Sequence, residues 1–240
     1  MPLIELKEFC QAYLSFFRSY KFFSIQNDGR FELSWKSRRP YLYDATSFTG
    51  FDRHYVYHTA WAARKLEQIK PKVHFDFGSS IFFASIVSAH IPIRFFDYRP
   101  PKIHLSGLTS EHANLNQLDL GDASVESISC MHVIEHIGLG RYGDPINPRG
   151  DCDAASELKR ILACGGSLLV VVPVGKPKIE FNAHRIYSYD QVISMFDGLE
   201  VVEFSLIQEG GNEGLVTKNA EKDVQYEIYG CGCFWFKKVG

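Results

Sequence analysis

The feature that most constrains the fold of this chain is a run of four elements between residues 73 and 97. A buried strand, Val-His-Phe-Asp-Phe, ends at Gly78-Ser79-Ser80; an apolar helical run of residues 81–89 follows, and residues 93–96 form a second buried strand. Elements in this order make a βαβ unit, in which the two strands pair in parallel through a right-handed crossover. The sequence therefore predicts an α/β domain with a mostly parallel sheet.

Later segments extend the predicted sheet. Residues 125–131 are typical of a strand, residues 153–162 of a helix, and residues 167–172 of a β-branched, buried strand. Residues 199–207 and 229–239 predict two long strands joined by a polar loop. We expect these last two strands to close the sheet as a C-terminal antiparallel hairpin.

Helical patterns precede the sheet. Residues 52–69 predict a helix that ends before Pro71. Further upstream, aromatic residues have the spacing of one face of an amphipathic helix; they are Phe9, Tyr13, Phe16, Phe17 and Tyr20. A chain of 240 residues fits one domain. We therefore interpret residues 1–70 as a helical cap within the same domain as residues 71–240, which form its core.

The composition argues against several classes of protein. A formal net charge of -2 provides no basic surface for nucleic acid, and charged residues interrupt the apolar segment 3–23, so no membrane-spanning helix is expected. The six cysteines, with no signal-peptide pattern, indicate a reducing compartment, the cytoplasm. Because Cys231 and Cys233 are separated by one residue, with no second pair to complete a zinc knuckle, we interpret both as strand residues without a metal.

Two predicted strand ends carry residues suited to a nucleoside. In open α/β sheets, ligands bind beyond the carboxyl ends of the strands. The turn Asp76-x-Gly78-x-Ser80 follows the first strand, and its small residues let backbone N–H groups approach a polar ligand. Asp97 ends the second strand about twenty residues later, where a carboxylate accepts hydrogen bonds from ribose hydroxyls. The glycines of a phosphate cradle are missing, which argues against a nicotinamide dinucleotide.

A longer series of motifs resembles the class I S-adenosylmethionine-dependent methyltransferases. The series comprises Asp76-Phe-Gly78, Asp97, and residues 113–118 (ANLNQL), 126–136 (ESISCMHVIEH) and 158–166 (LKRILACGG) before a β-branched strand. The resemblance implies a Rossmann-like, mostly parallel seven-stranded sheet with one antiparallel strand. It also implies S-adenosylmethionine as the cofactor and S-adenosylhomocysteine as the product.

Within that superfamily, the chain looks closest to a methyltransferase-like group first catalogued, without known function, from nematode proteins. The motifs that carry this closer resemblance are residues 132–145 (HVIEHIGLGRYGDP), 172–175 (VPVG), 181–185 (FNAHR) and 229–233 (YGCGC). These motifs are long and specific. They imply no particular substrate.

The resemblance to the class I enzymes implies a cofactor-binding role for seven residues. Three of them would line the methionine moiety, one the ribose and two the adenine edge, and one would border the sulfonium. In that order they are Asp76, Gly78 and Ser79; Asp97; Asn114 and Leu115; and His132.

Residues 132–136 also have the H-x-x-E-H spacing of an inverted zinc-protease motif. That motif needs a continuous helix, so that both histidines project from one face. Here the segment directly follows a buried strand, and three glycines and a proline lie between residues 138 and 145. These residues remove helical propensity. We therefore predict a bend at the strand end and argue against a zinc peptidase.

Acid/base chemistry is the role that we predict for these histidines. Methyl transfer to a hydroxyl needs a base within reach of the acceptor proton, and a histidine with a pKa near neutrality is suited to it. His136 and His184 are the candidate bases, and Glu135 would orient an imidazole. A purely structural role for Glu135 and His136 in the glycine-rich loop stays open.

We expect the acceptor to be a small molecule or a carbohydrate-like molecule that is methylated on oxygen. Two loops that follow strands contribute the residues expected to bind it: Arg141, Tyr142, Asn182 and Arg185. Arginine offers a fork of donors to a phosphate or carboxylate. For Arg141 and Arg185, a salt bridge within the protein is the alternative.

Two other functions stay open from the sequence. The glycine loop holds one glycine followed by the bulky Ile81 and Phe82, which narrow the space for a cofactor. Only sixteen residues separate Asp97 from Asn114, so a reduced helix after the second strand is expected. These departures favour, as the main alternative, a binding domain without catalysis. A third hypothesis, which we do not favour, is a metal-dependent RNA methyltransferase with a divalent ion at His132, Glu135, His136 and His184.

Overall fold

The computed structural model describes residues 3–211 and 213–240. The chain divides into two compact units, with the boundary in the sequence between Phe51 and Asp52. None of the helices in the described residues is both long and apolar enough to cross a membrane. The assignment of residues 1–70 to a cap within one domain stays a prediction.

The first unit is built around helix α1 (Leu3–Gln26), which includes the predicted aromatic stripe. Trp35 begins a short 3₁₀ turn and lies against that stripe. Its ring centroid is 4.8 Å from that of Tyr20 and 5.6 Å from that of Phe17, both in edge-on geometry. The aromatic stripe is therefore a packing face within this unit.

The second unit contains all the predicted strands. Its helices are α2 (Arg53–Ile69), α3 (Ile81–Val87), α4 (Gly150–Ile161), α5 (Tyr189–Met195) and α6 (Ala220–Asp223). Its first five strands are β1 (His74–Phe77), β2 (Ile93–Asp97), β3 (Leu108–His112), β4 (Val125–Met131) and β5 (Leu162–Val174). The others are β6 (Lys178–Glu180), β7 (His184–Ile186), β8 (Glu200–Ile207), β9 (Leu215–Val216) and β10 (Gly230–Lys237).

The large sheet has the strand order β3-β2-β1-β4-β5-β10-β8-β9. The strands from β3 to β5 pair in parallel, and β10 is antiparallel to both β5 and β8. The predicted α/β class, the mostly parallel sheet and the C-terminal antiparallel hairpin are confirmed. A two-residue strand, β9, extends the seven predicted strands at one edge. The order reverses between β1 and β4, where ligands bind in such sheets.

The connection from β2 to β3 confirms the expected loss of a helix. Residues 98–107 contain no helix. Near this edge, on the sheet face opposite α3, Arg94 lies over two aromatic rings. The guanidinium of Arg94 lies 4.8 Å from the ring centroid of Phe75 and 5.1 Å from that of Phe96. Two hydrogen bonds to Glu111, of 2.9 and 2.6 Å, hold it there. A planar cation therefore packs on both rings.

Each face of the sheet packs against its own helices. One hydrophobic cluster joins the sheet to α4, α5 and α6, and the other joins it to α2 and α3. Asp52 caps α2 by accepting a hydrogen bond from the backbone N–H of Tyr55 at 3.0 Å. Ser188 and Gln191 form a capping box at the start of α5. These caps fix where the two helices begin, and the start of α2 is the one that the sequence predicts.

A buried chain of hydrogen bonds joins β1 to β4. His74 contacts the hydroxyls of Ser127 and Ser129, each at 2.8 Å, and Ser129 donates to Oδ2 of Asp76 at 2.6 Å. The other oxygen of Asp76 accepts from the backbone N–H of Ser79 at 3.0 Å. The four hydrogen-bonded side chains are fully buried; they are His74, Asp76, Ser127 and Ser129. Burial raises the pKa of Asp76 to about 6.

The raised pKa of Asp76 predicts how stability depends on pH. Because the folded-state pKa is above the ordinary 3.8, protonated Asp76 stabilises the fold, and this contribution is lost as the pH rises through about 6. Relative to Asp76→Asn, the wild type should lose about 3 kcal/mol of unfolding free energy between about pH 4 and pH 7. Urea denaturation of both proteins across that range measures the difference. A difference that does not change with pH would contradict the prediction.

Candidate functional site

A cavity of about 390 Å³ lies at the carboxyl ends of the central parallel strands. Each strand end contributes a wall residue: Gly78 follows β1, Asp97 ends β2, Asn114 follows β3 and His132 follows β4. The loop after β4 adds His136 and Tyr142, among others. This is the position and size expected of a site for a small organic ligand.

Gly78 keeps the floor of the cavity open. Its φ of +67° is in the left-handed region that favours glycine. A Cβ at this position would lie 3.2 and 3.3 Å from the two Cγ atoms of Val133 and 3.7 Å from Oδ2 of Asp97. Val133 and Asp97 can therefore lie this close only because residue 78 has no side chain, and the backbone of Gly78 lines the cavity, where a planar or polar group of a ligand can approach it.

Asp97 presents one free carboxylate oxygen at this gap. Its Oδ1 accepts a hydrogen bond from the backbone N–H of Arg99 at 2.7 Å, which fixes the orientation of the side chain. Among the described residues, no hydrogen bond reaches Oδ2. Asn114 uses its own Oδ1 to accept from the backbone N–H of Asn116 at 3.1 Å, and Leu115 also lines the cavity. Asp97 can thus accept from a ligand hydroxyl without breaking an internal bond.

The structure brings five of the seven predicted cofactor residues to the cavity and leaves two behind. Asp76 and Ser79 are absent from its wall because both are engaged inside the sheet. Asp76 takes part in the buried chain between β1 and β4, and the hydroxyl of Ser79 accepts from the backbone N–H of Met131 at 3.1 Å. The expectation that Ile81 and Phe82 narrow the cofactor space is wrong, since neither lines the cavity and Phe82 is 78% exposed.

The H-x-x-E-H segment forms a bend, as predicted. His132 has a φ of +57°, and only Ile134–His136 make a single 3₁₀ turn. A helix that could present both histidines to one metal is therefore not formed. The strained backbone at His132, a residue without the freedom of glycine, turns the chain from β4 into the cavity wall.

His136 has the tautomer that a base requires. Its Nδ1 lies 2.6 Å from the carbonyl oxygen of Ala183, so the ring donates there and Nε2 carries the lone pair. Burial lowers the pKa of His136, although the nearby Glu135 opposes that change. His136 lines the cavity and contacts the ring of Tyr142 edge-on at 5.7 Å. An uncharged imidazole at the cavity wall can accept a proton.

Glu135 lies behind the cavity wall, with its side chain 1% exposed. Its Oε1 is 2.9 Å from Nδ1 of His132 and 3.7 Å from Nε2 of His136. Burial raises the pKa of Glu135 to about 7 and lowers that of His132 to about 4. At neutral pH His132 is uncharged, so its contact with Glu135 is a hydrogen bond rather than an ion pair. Glu135 is placed to position His132.

The other predicted residues lie around the cavity, and Tyr142 alone of the four predicted acceptor residues lines it. His184 is outside the wall, with its ring 5.0 Å from that of Tyr229 and Nε2 3.3 Å from Glu180. Arg141 is exposed and donates to the carbonyl oxygen of Ala183 at 3.3 Å. Asn182 contacts the carbonyl oxygen of Leu139 at 3.4 Å.

Arg185 requires a correction. Its side chain is buried, 4% exposed as a residue, and cannot reach an acceptor in the cavity. It donates to the carbonyl oxygens of Ile137 at 2.7 Å, Pro148 at 3.3 Å and Glu135 at 3.4 Å, and lies 3.5 Å from the carboxylate of Asp151. The salt bridge that the sequence left as an alternative is present. Arg185 ties the loop after β4 to α4.

Comparison with known proteins identifies the family. Residues 101–228, more than half of the chain, match the family described as "Caenorhabditis protein of unknown function, DUF268". The chain belongs to this family. The predicted relation to a methyltransferase-like group from nematode proteins is confirmed. Among curated proteins, no sequence is significantly similar to this DUF268 chain.

Solved structures share the fold of this DUF268 protein. A chain in the complex between the Haloferax volcanii Trm112 methyltransferase activator and a methyltransferase has a TM-score of 0.53 at 17% identity, over 79% of this chain and 91% of that one. A Bacillus halodurans protein described as a methyltransferase has a TM-score of 0.51 at 13% identity, over 74% of this chain and 99% of that one. Burkholderia thailandensis 1,6-didemethyltoxoflavin-N1-methyltransferase with bound S-adenosylhomocysteine has a TM-score of 0.50 at 10% identity, over 76% of this chain and 79% of that one. At these identities the likeness shows the methyltransferase fold alone.

Sequence reasoning missed several residues of the DUF268 protein's site. Tyr98 and Arg99 line the cavity from the segment that replaces the missing helix. The guanidinium of Arg99 lies 4.8 Å from the ring centroid of Tyr142, which stands on the opposite loop. The position of Tyr98 and Arg99 directly after Asp97, at a strand end, was the available signal. His54 and Cys231, which meet at His132, gave no signal because they are far apart in the sequence.

Proposed function

We propose that this DUF268 protein is an S-adenosylmethionine-dependent methyltransferase that methylates a hydroxyl oxygen of a small-molecule or carbohydrate-like acceptor. The observation that carries the proposal is the cavity at the reversal of strand order, with the free carboxylate oxygen of Asp97 beside the open backbone of Gly78. A ribose with two adjacent hydroxyls and a group that needs close backbone approach suit this pair.

The residues present fit the cofactor. Asp97 would accept hydrogen bonds from the ribose, Asn114 and Leu115 would border the adenine, and Gly78 and His132 would border the methionine end. When bound, S-adenosylmethionine supplies an electrophilic methyl group on a sulfonium. The share of the protein is to hold that group and the acceptor in line and to exclude water from between them.

His136 is the residue that we propose as the base. Its Nε2 carries a lone pair because Nδ1 donates to Ala183, and the residue lines the cavity. An acceptor hydroxyl that hydrogen-bonds to Nε2 would lose its proton there as the oxygen takes the methyl group. Glu135 would act by positioning the neighbouring ring of His132. His184, outside the wall, is the weaker candidate for the base.

The acceptor side of the cavity supports a polar, ring-shaped acceptor. Tyr98, Arg99 and Tyr142 supply two aromatic rings and one guanidinium. Carbohydrate rings pack on aromatic faces, and a guanidinium donates to hydroxyl or acidic groups. All six cysteines carry free thiols, which supports a reducing compartment such as the cytoplasm as the site of this activity.

Replacing Asp97 with alanine tests the cofactor site. We expect S-adenosylhomocysteine to bind about 10–100-fold more weakly, because losing hydrogen bonds to a charged group costs about 1.5–3 kcal/mol. Isothermal titration calorimetry of the full chain with S-adenosylmethionine and S-adenosylhomocysteine gives the dissociation constants. Asp119→Ala, which removes an exposed carboxylate outside the cavity, is the matched control and should bind as the wild type does.

Two outcomes would count against the proposal. If the wild type bound neither nucleoside at millimolar concentration, the protein would not be a methyltransferase. If both bound equally well to the wild type and to Asp97→Ala, the ribose assignment would be wrong. Release of S-adenosylhomocysteine on addition of hydroxylated small molecules then identifies the acceptor class, and His136→Gln should abolish that release without weakening nucleoside binding.

A further inference from the structure

We propose that the protein binds a zinc ion between His54, His132 and Cys231. The three residues come from separate parts of the fold: His54 from the first turn of α2, His132 from the end of β4, and Cys231 from β10. One ligand atom from each lies within 4.8 Å of the other two. Two imidazole nitrogens and one thiolate form a ligand set that suits zinc, and three protein ligands leave one position open.

The spacing between two of the ligand atoms is that of a tetrahedral site. Sγ of Cys231 lies 3.5 Å from Nε2 of His132. A tetrahedral zinc with bonds of about 2.3 Å to sulfur and about 2.0 Å to nitrogen holds those two atoms about 3.6 Å apart. These two atoms therefore need almost no movement to bind the ion. The ring nitrogen of His54 would have to move slightly toward them.

Glu135 gives His132 the orientation of a metal ligand. Nδ1 of His132 donates to Oε1 of Glu135 at 2.9 Å, which leaves the lone pair on Nε2, the nitrogen that faces Cys231. A carboxylate behind a metal-binding imidazole is the arrangement that fixes the tautomer and strengthens the ligand. Glu135 is buried, so it is unavailable to most other partners. It is a positioning residue in this site.

His58 supplies a second, independent observation. It is fully buried beside His132, with ring centroids 5.0 Å apart, and Nδ1 donates to the carbonyl oxygen of His54 at 2.6 Å. Its Nε2 therefore carries a lone pair, and among the described residues that atom has no hydrogen-bond partner. A buried polar atom without a partner requires an explanation. A water on the open position of the zinc would supply the missing donor.

Aromatic rings hold the imidazoles in place. Tyr229 stacks on His54 with ring centroids 5.2 Å apart, and Tyr55 stacks on His132 at 5.6 Å. The rings of His54 and His132 are themselves nearly parallel, with an interplanar angle of 7°. Packing of this kind restricts side-chain rotation before an ion arrives, which lowers the entropic cost of binding.

Binding forms one Zn–S bond and two Zn–N bonds, and the thiol proton of Cys231 passes to solvent, with no change of oxidation state. His132 also lines the cavity, so the ion would lie behind this wall residue. The role that follows rests on the proposed function: the zinc would fix the ring of His132 in the cavity wall.

Cobalt substitution of the full 240-residue chain tests the site. With Co²⁺ added to metal-free protein, we expect one equivalent to bind, with the strong visible absorption of tetrahedral cobalt and a near-ultraviolet thiolate charge-transfer band. Competition with zinc gives the zinc dissociation constant. Cys231→Ser and His54→Gln should each weaken zinc binding at least about 100-fold, and Glu135→Gln should weaken it about 10–100-fold.

Cys233→Ser is the matched control, since this buried cysteine is on the same strand and outside the cluster. It should retain the charge-transfer band, and circular dichroism checks that every variant is folded. His54→Gln, at a half-buried position, keeps the test decisive if Cys231→Ser fails to fold. Weak octahedral absorption in the wild type, or a band that survives Cys231→Ser and is lost in Cys233→Ser, would overturn the proposal.

Calorimetry with S-adenosylhomocysteine on the same proteins separates this inference from the proposed function. If the protein bound zinc but no nucleoside, the proposed methyltransferase function would be refuted and the proposed zinc site would be supported. If it bound the nucleoside but did not bind zinc specifically, only the proposed zinc site would be refuted. Cys231→Ser is expected to bind the nucleoside as the wild type does, because Cys231 is absent from the cavity wall.

Discussion

Replacing Arg185 with methionine is expected to lower the free energy of unfolding by about 3–5 kcal/mol, the cost of breaking a buried charge pair. Methionine keeps much of the apolar volume, so the loss reflects the guanidinium. Asp151, 8% exposed at its side chain, would keep, within the described part of the chain, only the hydroxyl of Tyr187 at 3.0 Å as its side-chain partner. The carbonyl oxygens of Glu135 and Ile137 would lose their donor as well.

Urea denaturation measures this change, with Arg149→Met as the control. Arg149 is exposed beside the same loop, and its replacement should alter stability by no more than about 0.5 kcal/mol. If Arg185→Met were as stable as the control and lost only acceptor binding, the residue would have the substrate role that the sequence alone suggested, and its structural assignment would fail.

Gly138→Ala should destabilise the protein by on the order of 4 kcal/mol, through backbone strain together with overpacking. Gly138 has a φ of +79°, and a Cβ there would lie 2.0 Å from the carbonyl oxygen of Asn147. That oxygen belongs to backbone in the same loop, and the backbone N–H of Asn147 also donates to Gly138 at 3.0 Å. The contact cannot be relieved by rotating a side chain.

Gly143→Ala isolates the strain from the contact. Gly143 has a similar φ of +82°, but a Cβ there would have no atom within 4 Å. Its replacement should therefore cost only the left-handed conformation, about 1–2 kcal/mol. Thermal or urea unfolding of the two variants gives the difference, and equal effects would show that the clash at Gly138 is relieved at no cost. The loop carries His136, so Gly138→Ala should also disturb the cavity.

The sequence predicts the sheet of this protein well because its central strands are short, apolar and bounded by turn residues. The pattern from His74 to Asp97 is local, and a parallel pair with a helical crossover has one favoured handedness. The shortened connection before Asn114 could be read by counting residues. The hairpin of β6 and β7 was missed because its strands have three residues each and are flanked by no clear periodic pattern.

The strand-end rule also places much of the site. Gly78, Asp97 and His132 lie on the cavity wall because parallel strands end at one edge of the sheet. This placement depends on the backbone topology and not on the partners of the side chains. Residues whose role depends on side-chain partners were harder to place. Asp76 and Arg185 are residue types expected in a binding site. In the structure, however, Asp76 is hydrogen-bonded to Ser129 and Arg185 pairs with Asp151. A sequence does not reveal which polar groups are already satisfied within the fold.

The cluster of His54, His132 and Cys231 could not be predicted from spacing at all. Its members are 78 and 99 residues apart in the chain, and they meet because α2 and β10 both pass the end of β4. The H-x-x-E-H segment contains His132, but its spacing gives no indication of His54 or Cys231. Metal motifs with short spacing are recognisable in a sequence, and sites assembled by tertiary folding are not.

The segment that joins β2 to β3 without a helix has a consequence for how this family could diversify. Asp97 is fixed at a strand end, whereas Tyr98 and Arg99 begin a stretch of irregular backbone, and such stretches accept substitutions and insertions more readily than strands do. Selectivity for the acceptor could therefore drift through changes in these few positions. The proposed nucleoside contact of Asp97, fixed in the sheet, would be inherited unaltered.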